Sequence, residues 1–217
     1  YMVAADGRAT GRYDKVHLVP FGEYVPLKYL LSFVGKMVAQ VGDFSSGEKG
    51  RTLAWGENEP PIGVQICFEI IFPELSRSLV KNGAGVLVNL TNDAWFGKSS
   101  AAYQHFSMAV FRAVENRRSL VRCANTGISG FVDPAGRIMS RTALFEDAVL
   151  VRAVPILSEK TIYTRIGDGL PIVCLIVLGV LIGRLMRRDR QAAHGAMLVK
   201  ITDWVKRLVS RIVDKRR

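Results

Sequence analysis

The feature that most restricts what this chain can fold into is the run Leu170 to Gly183, LPIVCLIVLGVLIG, which carries no charge and is bounded by Asp168 and Arg184. A membrane span usually needs about 20 apolar residues. Adding Ile166 on one side and Leu185 and Met186 on the other, with Arg184 reaching toward the interface, brings the stretch into that range. A buried core helix has the same composition. The Lys/Arg cluster directly after the run favours the membrane, because such clusters stay on the cytoplasmic side. On that rule the tail is cytoplasmic and everything before Asp168 lies across the membrane.

The formal charge of +11 would ordinarily raise nucleic acid as a partner, so its placement decides its meaning. From Arg184 to Arg217 there are 11 Lys or Arg against 3 Asp, which leaves +3 for the preceding 183 residues, an ordinary balance for a folded domain. In the tail, Leu198, Ile201, Val205, Leu208 and Ile212 recur at spacings of three and four, an apolar stripe on a basic helix. Such a helix suits an anionic membrane surface. No aromatic interleaving supports a nucleic-acid arm, and no nucleic-acid partner is expected.

Upstream of the apolar run, short β-rich segments alternate with helical ones. Lys15 to Val19, Ile62 to Cys67 and Gly85 to Leu90 are predicted as strands, Pro73 to Lys81 and Ala101 to Asn116 as helices. Two more strands follow at Ser119 to Ala124 and Ile128 to Val132, and a turn at Asp133 to Gly136 leads into Arg137 to Ser140. The alternation implies an α/β layered domain. The stretch Leu27 to Val41 interrupts it, either as an amphipathic helix or as an arm that dips into lipid.

Three cysteines, Cys67, Cys123 and Cys174, lack the spacing of a disulfide or zinc framework. Cys67 closes the strand PPIGVQIC ahead of FEIIFPEL, and a thiol at a strand-to-helix turn is presented at the sheet edge, where backbone N–H groups can face an oxyanion. A thiol attacks carbonyls only as the thiolate, so it needs a nearby cation or base. Lys15 is that candidate cation. Set among Val16, Leu18 and Val19, it needs a carboxylate partner if buried, and Glu23 and Glu69 both qualify. His17 and His105 have no metal-ligand spacing and are assigned to structure, so no metal and no cofactor is expected.

The segments YDKVHLVPFGEYVPL, IGVQICFEIIFPEL, LTNDAWFG, the long stretch QHFSMAVFRAVENRRSLVRCANTGISGFVDPAGRI and TIYTRIGD together resemble the apolipoprotein N-acyltransferase family, an integral membrane branch of the nitrilase superfamily. The resemblance implies a nitrilase-like α-β-β-α sandwich, here truncated on its N-terminal side, followed by one transmembrane helix. It divides the chain into a partial catalytic domain over residues 1–160, a juxtamembrane segment and span over 161–186, and a basic amphipathic tail over 187–217. It implies a Glu-Lys-Cys triad in which Cys67 is the cysteine and Lys15 the lysine, with Glu23 and Glu69 shaping the site. Phe68 stands where the family carries an aromatic; Trp95 and Phe96 are candidates to line the acyl channel or packed loop aromatics, and Glu115 matches a family acidic position, either a support for Lys15 or an exposed charge on a long helix. The implied reaction moves an acyl group from a phospholipid to Cys67 as a thioester, then to the free amine of a diacylglyceryl-cysteine on an apolipoprotein. The implied setting is a bacterial inner membrane with the catalytic domain in the periplasm.

The glutamate of that triad has no counterpart here, since residues 1–14 offer only Asp6 and Asp14. Two further expectations stand beside the first: a membrane-tethered amidase or nitrilase-type hydrolase of the same superfamily, and, because that glutamate is missing, a catalytically inactive tethered scaffold.

Overall fold

The computed structural model describes residues 1–24, 44–187 and 202–204. They divide into two compact units, Tyr1–Gly167 and the part from Asp168 onward. In the first unit a small antiparallel hairpin, β1 (Met2–Val3) and β2 (Ala9–Gly11), precedes a five-stranded mixed sheet. The sheet comprises β3 (Ile62–Ile66), β4 (Val86–Asn92), β5 (Ser119–Asn125), β6 (Gly130–Val132) and β7 (Ile138–Arg141), hydrogen-bonded in that order. The first three are parallel and the last two join antiparallel.

Parallel neighbours cannot be joined by a tight turn, so each needs a crossover. The helices α1 (Pro73–Lys81) and α2 (Ser100–Asn116) supply them. Proline at the first turn of α1 costs nothing, since its missing N–H would have no intrahelical partner. The Ser99 hydroxyl accepts from Ala101 N–H at the start of α2. At the end of α2 Arg117 adopts a left-handed conformation that stops the helix.

Strand alternation sorts the sheet into two faces. On the helix side, Gly63, Leu87, Leu120 and Val132 form one row across the sheet, packed with Ile70, Leu79, Val80, Phe106, Ala109 and Ala113 into the core. Gly63 is required there, because a Cβ would sit 3.0 Å from the Cβ atoms of both Ala84 and Leu79. The next row toward the strand carboxyl ends is polar instead: Gln65, Asn89 and Arg122, all buried. The opposite face carries Val64, Val88 and Val121, then Ile66, Leu90 and Cys123, with Leu90 47% exposed.

The end of this unit is strapped to the amino-terminal ends of β4 and β5 by buried Arg118, which donates to the carbonyls of Ala84 (2.7 Å) and Glu159 (2.7 Å), while Ser119 Oγ donates to Pro155 O. The short helix α3 (Ile162–Ile166) is fastened by Arg77, whose guanidinium donates to the carbonyls of Tyr163, Thr164 and Arg165.

The strands and helices foreseen from Ile62 to Ser140 are present with shifts of a residue or two at their ends. Lys15 to Val19 is not a strand. Its backbone donors are taken by side chains rather than by a neighbouring strand, as described below. The segment Leu27 to Val41 and the apolar stripe of the tail lie outside the described residues, apart from a helical stretch over 202–204.

In the second unit, a helix α4 spans Gly169–Arg187 with a mean hydropathy of 2.3, long and apolar enough to cross a membrane. None of that apolar window is buried among the described residues.

Candidate active site

At the carboxyl end of β3 the chain turns sharply into a 3-10 turn, Cys67–Ile71. Cys67 itself holds φ at 54°, in the left-handed region that costs a side-chain-bearing residue about 1–3 kcal/mol. The strain is maintained because the residues on either side are fully committed. Ile66 completes the ladder with Leu90, and Ile70 is wholly buried in the core. The thiol is left half-buried at the end of the parallel strands, the position where open α/β sheets bind ligands.

Two residues on, Glu69 is fully buried and its carboxylate accepts four hydrogen bonds. Oε1 takes the backbone N–H groups of Val16 (2.5 Å) and His17 (3.0 Å). Oε2 takes the N–H of Ile66 (2.7 Å) and the Tyr13 hydroxyl (3.0 Å). The Ile66 contact is half of a capping box, in which an acidic side chain at the third position of a turn reaches back to the N-cap N–H. The other three bind the segment Tyr13 to His17 directly onto the cysteine turn. A buried carboxylate with every lone-pair direction used by a donor is a stable anchor, and its loss would strand those donors.

Lys15 is held by a different carboxylate. Its Nζ lies 2.7 and 2.8 Å from the two oxygens of Glu23, and Glu23 Oε2 also accepts from Val19 N–H at 2.9 Å. The Lys15 side chain is only 11% exposed, the Glu23 side chain 30%. Of the two acids that sequence left open, Glu23 therefore pairs the ammonium and Glu69 positions the backbone. A groove of about 390 Å³ opens onto this pair, lined also by Leu18 and Phe44. Cys67 is not among its lining residues; the two halves of the site are tied through Glu69 and through His17, whose ring packs against Phe72 at a tilt of 39° with centroids 3.9 Å apart.

The remaining candidates make the following contacts. Glu115 pairs with Arg112 at 2.6 Å, and Arg112 Nη1 donates to the Ile71 carbonyl at 3.0 Å, so this ion pair braces the far end of the turn. Phe68 packs edge-on against Phe72, and Phe96 edge-on against His105. Trp95 is 89% exposed and packs into no core.

Sequence reasoning missed Tyr13 and the polar row behind the cysteine. The signal for the row was present: Asn89 and Arg122 interrupt otherwise apolar strands, and a buried polar group needs a partner. Burial and then the charge of Glu69 push the Tyr13 phenol well above its ordinary value of 10.0. The folded chain thus holds that proton more tightly than the unfolded one. This contribution to stability is complete below about pH 10 and fades above it. Tyr13→Phe is expected to flatten the loss of stability between about pH 10 and 12, read by denaturant unfolding at several pH values.

Residues 1–161 match the family described as carbon-nitrogen hydrolase, nearly three quarters of the chain. The chain belongs to the carbon-nitrogen hydrolase family. Among curated relatives of this carbon-nitrogen hydrolase chain, a protein of Geobacter metallireducens named apolipoprotein N-acyltransferase is 50% identical over 188 residues, covering 87% of this chain and 36% of the relative. A protein of the same name from Rhodopseudomonas palustris is 40% identical over 190 residues, covering 87% and 35%. One from Treponema denticola, named apolipoprotein N-acyltransferase 1, is 41% identical over 169 residues, covering 76% and 31%. The chain thus spans about a third of the length of these relatives.

Proposed function

We propose that this carbon-nitrogen hydrolase chain supplies the thiol and the lysine of an apolipoprotein N-acyltransferase, with Cys67 as the nucleophile. The observation that carries this reading is the Glu69 clamp, which fastens the Lys15 segment to the strained turn that presents Cys67. The names of the relatives, at 40–50% identity over most of the chain, support an apolipoprotein as the acceptor class.

The chemistry follows from the residue types. The Cys67 thiolate attacks the ester carbonyl carbon of a phospholipid; a C–S bond forms, the glycerol C–O bond breaks, and the departing alkoxide takes a proton to leave as lysophospholipid. The free α-amine of a diacylglyceryl-cysteine then attacks the thioester; a C–N bond forms, the C–S bond breaks, and the thiolate is regenerated as the amine loses its proton. Each step passes through an oxyanion, which the Lys15 ammonium, steadied by Glu23, and backbone N–H groups of the turn are suited to stabilise. Thioesters hydrolyse in water, so Phe68, Trp95 and Phe96 would serve by covering the acyl chain. The glutamate of the implied triad is assigned to no residue of this chain.

In this reading residues 1–160 form the catalytic part, 161–186 lead into and across the inner membrane with α4 as the span, and 187–217 lie on its cytoplasmic surface. The catalytic part then faces the periplasm, where lipid and lipoprotein meet. This reading calls on no cofactor or metal.

The test is mass spectrometry of the protein in phospholipid-containing micelles. An acyl mass increment mapped to the Cys67 peptide, labile to hydroxylamine and discharged by a diacylglyceryl-cysteine peptide, is expected. Turnover of small amides with no adduct from phospholipid would assign the site to a tethered amidase instead, and an inert thiol would leave a scaffold.

A further inference from the structure

Behind the cysteine turn lies a buried polar network that the mechanism above does not use. Arg122, on β5, is 2% exposed and spends its guanidinium on three acceptors. Nε donates to the Ile128 carbonyl at 3.1 Å, Nη2 to Asp93 Oδ2 at 2.7 Å, and Nη1 to Asn89 Oδ1. Asn89, itself fully buried, uses its amide NH₂ to donate to the carbonyls of Gln65 (3.1 Å) and Cys67 (3.4 Å). Asp93 is further held by Thr91 Oγ1 at 2.9 Å and by His105 Nδ1 at 3.0 Å. Gln65 continues the row: its Nε2 donates to the Glu69 carbonyl at 3.1 Å and its Oε1 accepts from Ser76 at 2.8 Å.

Gln65, Asn89 and Arg122 stand in register on adjacent parallel strands, one row beyond the apolar row of the core. Burying a charged pair is seldom worth more to stability than filling the same space with apolar side chains. A polar row kept in that place therefore asks for a role, and its amide ends on the carbonyl of the nucleophilic residue. We infer that Arg122 is a positioning residue for Cys67, acting through Asn89: it orients the amide that fixes the strained Cys67 backbone, and it places a buried positive charge behind the thiol. This rests on the reading of Cys67 as the nucleophile.

Electrostatics agree with that placement. Burial pushes the Arg122 guanidinium below its usual range, while the charge of Asp93, its hydrogen bond and the charge of a Cys67 thiolate act in the opposite sense. Asp93 lies below the ordinary carboxylate range although burial alone would raise it, because the His105 hydrogen bond and the Arg122 charge outweigh burial. Asp93 is thus a carboxylate facing the guanidinium at 2.7 Å, while Arg122 Nη1 is turned to Asn89. The other charged groups near the turn are Glu69, anchored to backbone, the Lys15 and Glu23 pair, and the Arg112 and Glu115 pair beyond Ile71.

The experiment is alkylation of the intact protein with iodoacetamide across pH 6 to 9, about the range of thiol ionisation, with each cysteine followed by peptide mass spectrometry. Exposed Cys123, on the same chain, is the internal reference. Asn89→Asp keeps the shape and the Arg122 contact but removes the donor to Cys67 and adds a negative charge. It is expected to slow Cys67 alkylation at pH 7 about tenfold relative to Cys123 and to displace the rate–pH profile to higher pH. Arg122→Gln, combined with Asp93→Asn to avoid a lone buried charge, is expected to act in the same sense, and Arg122→Lys to restore part of the rate. Thermal unfolding of each variant identifies any that fail to fold; the near-isosteric Asn89→Asp carries the decision. If Cys67 outpaces Cys123 in the parent protein and its profile does not move in Asn89→Asp, the positioning role is overturned while the nucleophile stands. If Cys67 already behaves like Cys123 in the parent, the nucleophile reading falls and this inference with it.

Discussion

Cys67→Ala is expected to abolish acyl transfer, with a fall of about 10⁴-fold or more, because no other group in the turn can form the covalent intermediate. The variant loses both the acyl increment at position 67 and the N-acylated peptide product, read in the same mass-spectrometric assay. Stability should change little, since the thiol is half-buried and alanine keeps the Cβ that the backbone carries. The left-handed φ of 54° is equally awkward for alanine, so the turn neither gains nor loses from the exchange. Residual transfer within about tenfold of the parent would show that the acyl group never visits this sulfur.

Glu69→Gln is expected to damage both stability and activity, and for one reason. The carboxylate accepts on both oxygens from four donors, three of them backbone N–H groups. A carboxamide offers a single acceptor oxygen. If that oxygen stays with Val16 and His17, the NH₂ can still donate to the Tyr13 oxygen, but it opposes Ile66 N–H. One buried donor is left unsatisfied and three charge-assisted bonds become neutral, a loss of about 3 kcal/mol. For a chain of this size that corresponds to a fall in Tm of about 6–12 °C. The Lys15 segment loses its tie to the cysteine turn at the same time, and a displacement of about 1 Å in a catalytic group is enough for about a 100-fold loss of rate. Differential scanning fluorimetry and the rate of Cys67 acylation measure the two effects. A Tm within about 2 °C of the parent would mean that Glu69 does not hold the segment.

Some of this architecture was legible from residue order alone. Val and Leu runs bounded by Gly and Pro marked β3, β4 and β5, and Pro73 marked the first turn of α1, because these signals depend only on near neighbours. The apolar run from Leu170 was equally plain, and its helix extends over Gly169–Arg187. The segment Lys15 to Val19 misled for a physical reason. Alternating apolar residues look like a strand whether their N–H groups meet another strand or a carboxylate, and here two of them meet Glu69, more than 50 residues away. Glu115 was expected to support Lys15, and among its contacts is Arg112, which donates to the Ile71 carbonyl at the end of the cysteine turn.

Sequence by itself singled out the candidates for chemistry, since a thiol, an ammonium and their neighbouring acids are properties of composition and local order. Only the tertiary structure decided what each acid does. Glu23 and Glu69 are alike in charge and both plausible partners for Lys15, and they separate only when the chain closes: one carboxylate meets an ammonium, the other meets four donors gathered from two distant segments. Gln65, Asn89 and Arg122 show in the sequence only as polar breaks in separate strands, and they become one row when three strands align in parallel register. Hydrogen bonds depend on distances of a few tenths of an ångström between groups far apart in sequence, and that information exists only in the folded chain.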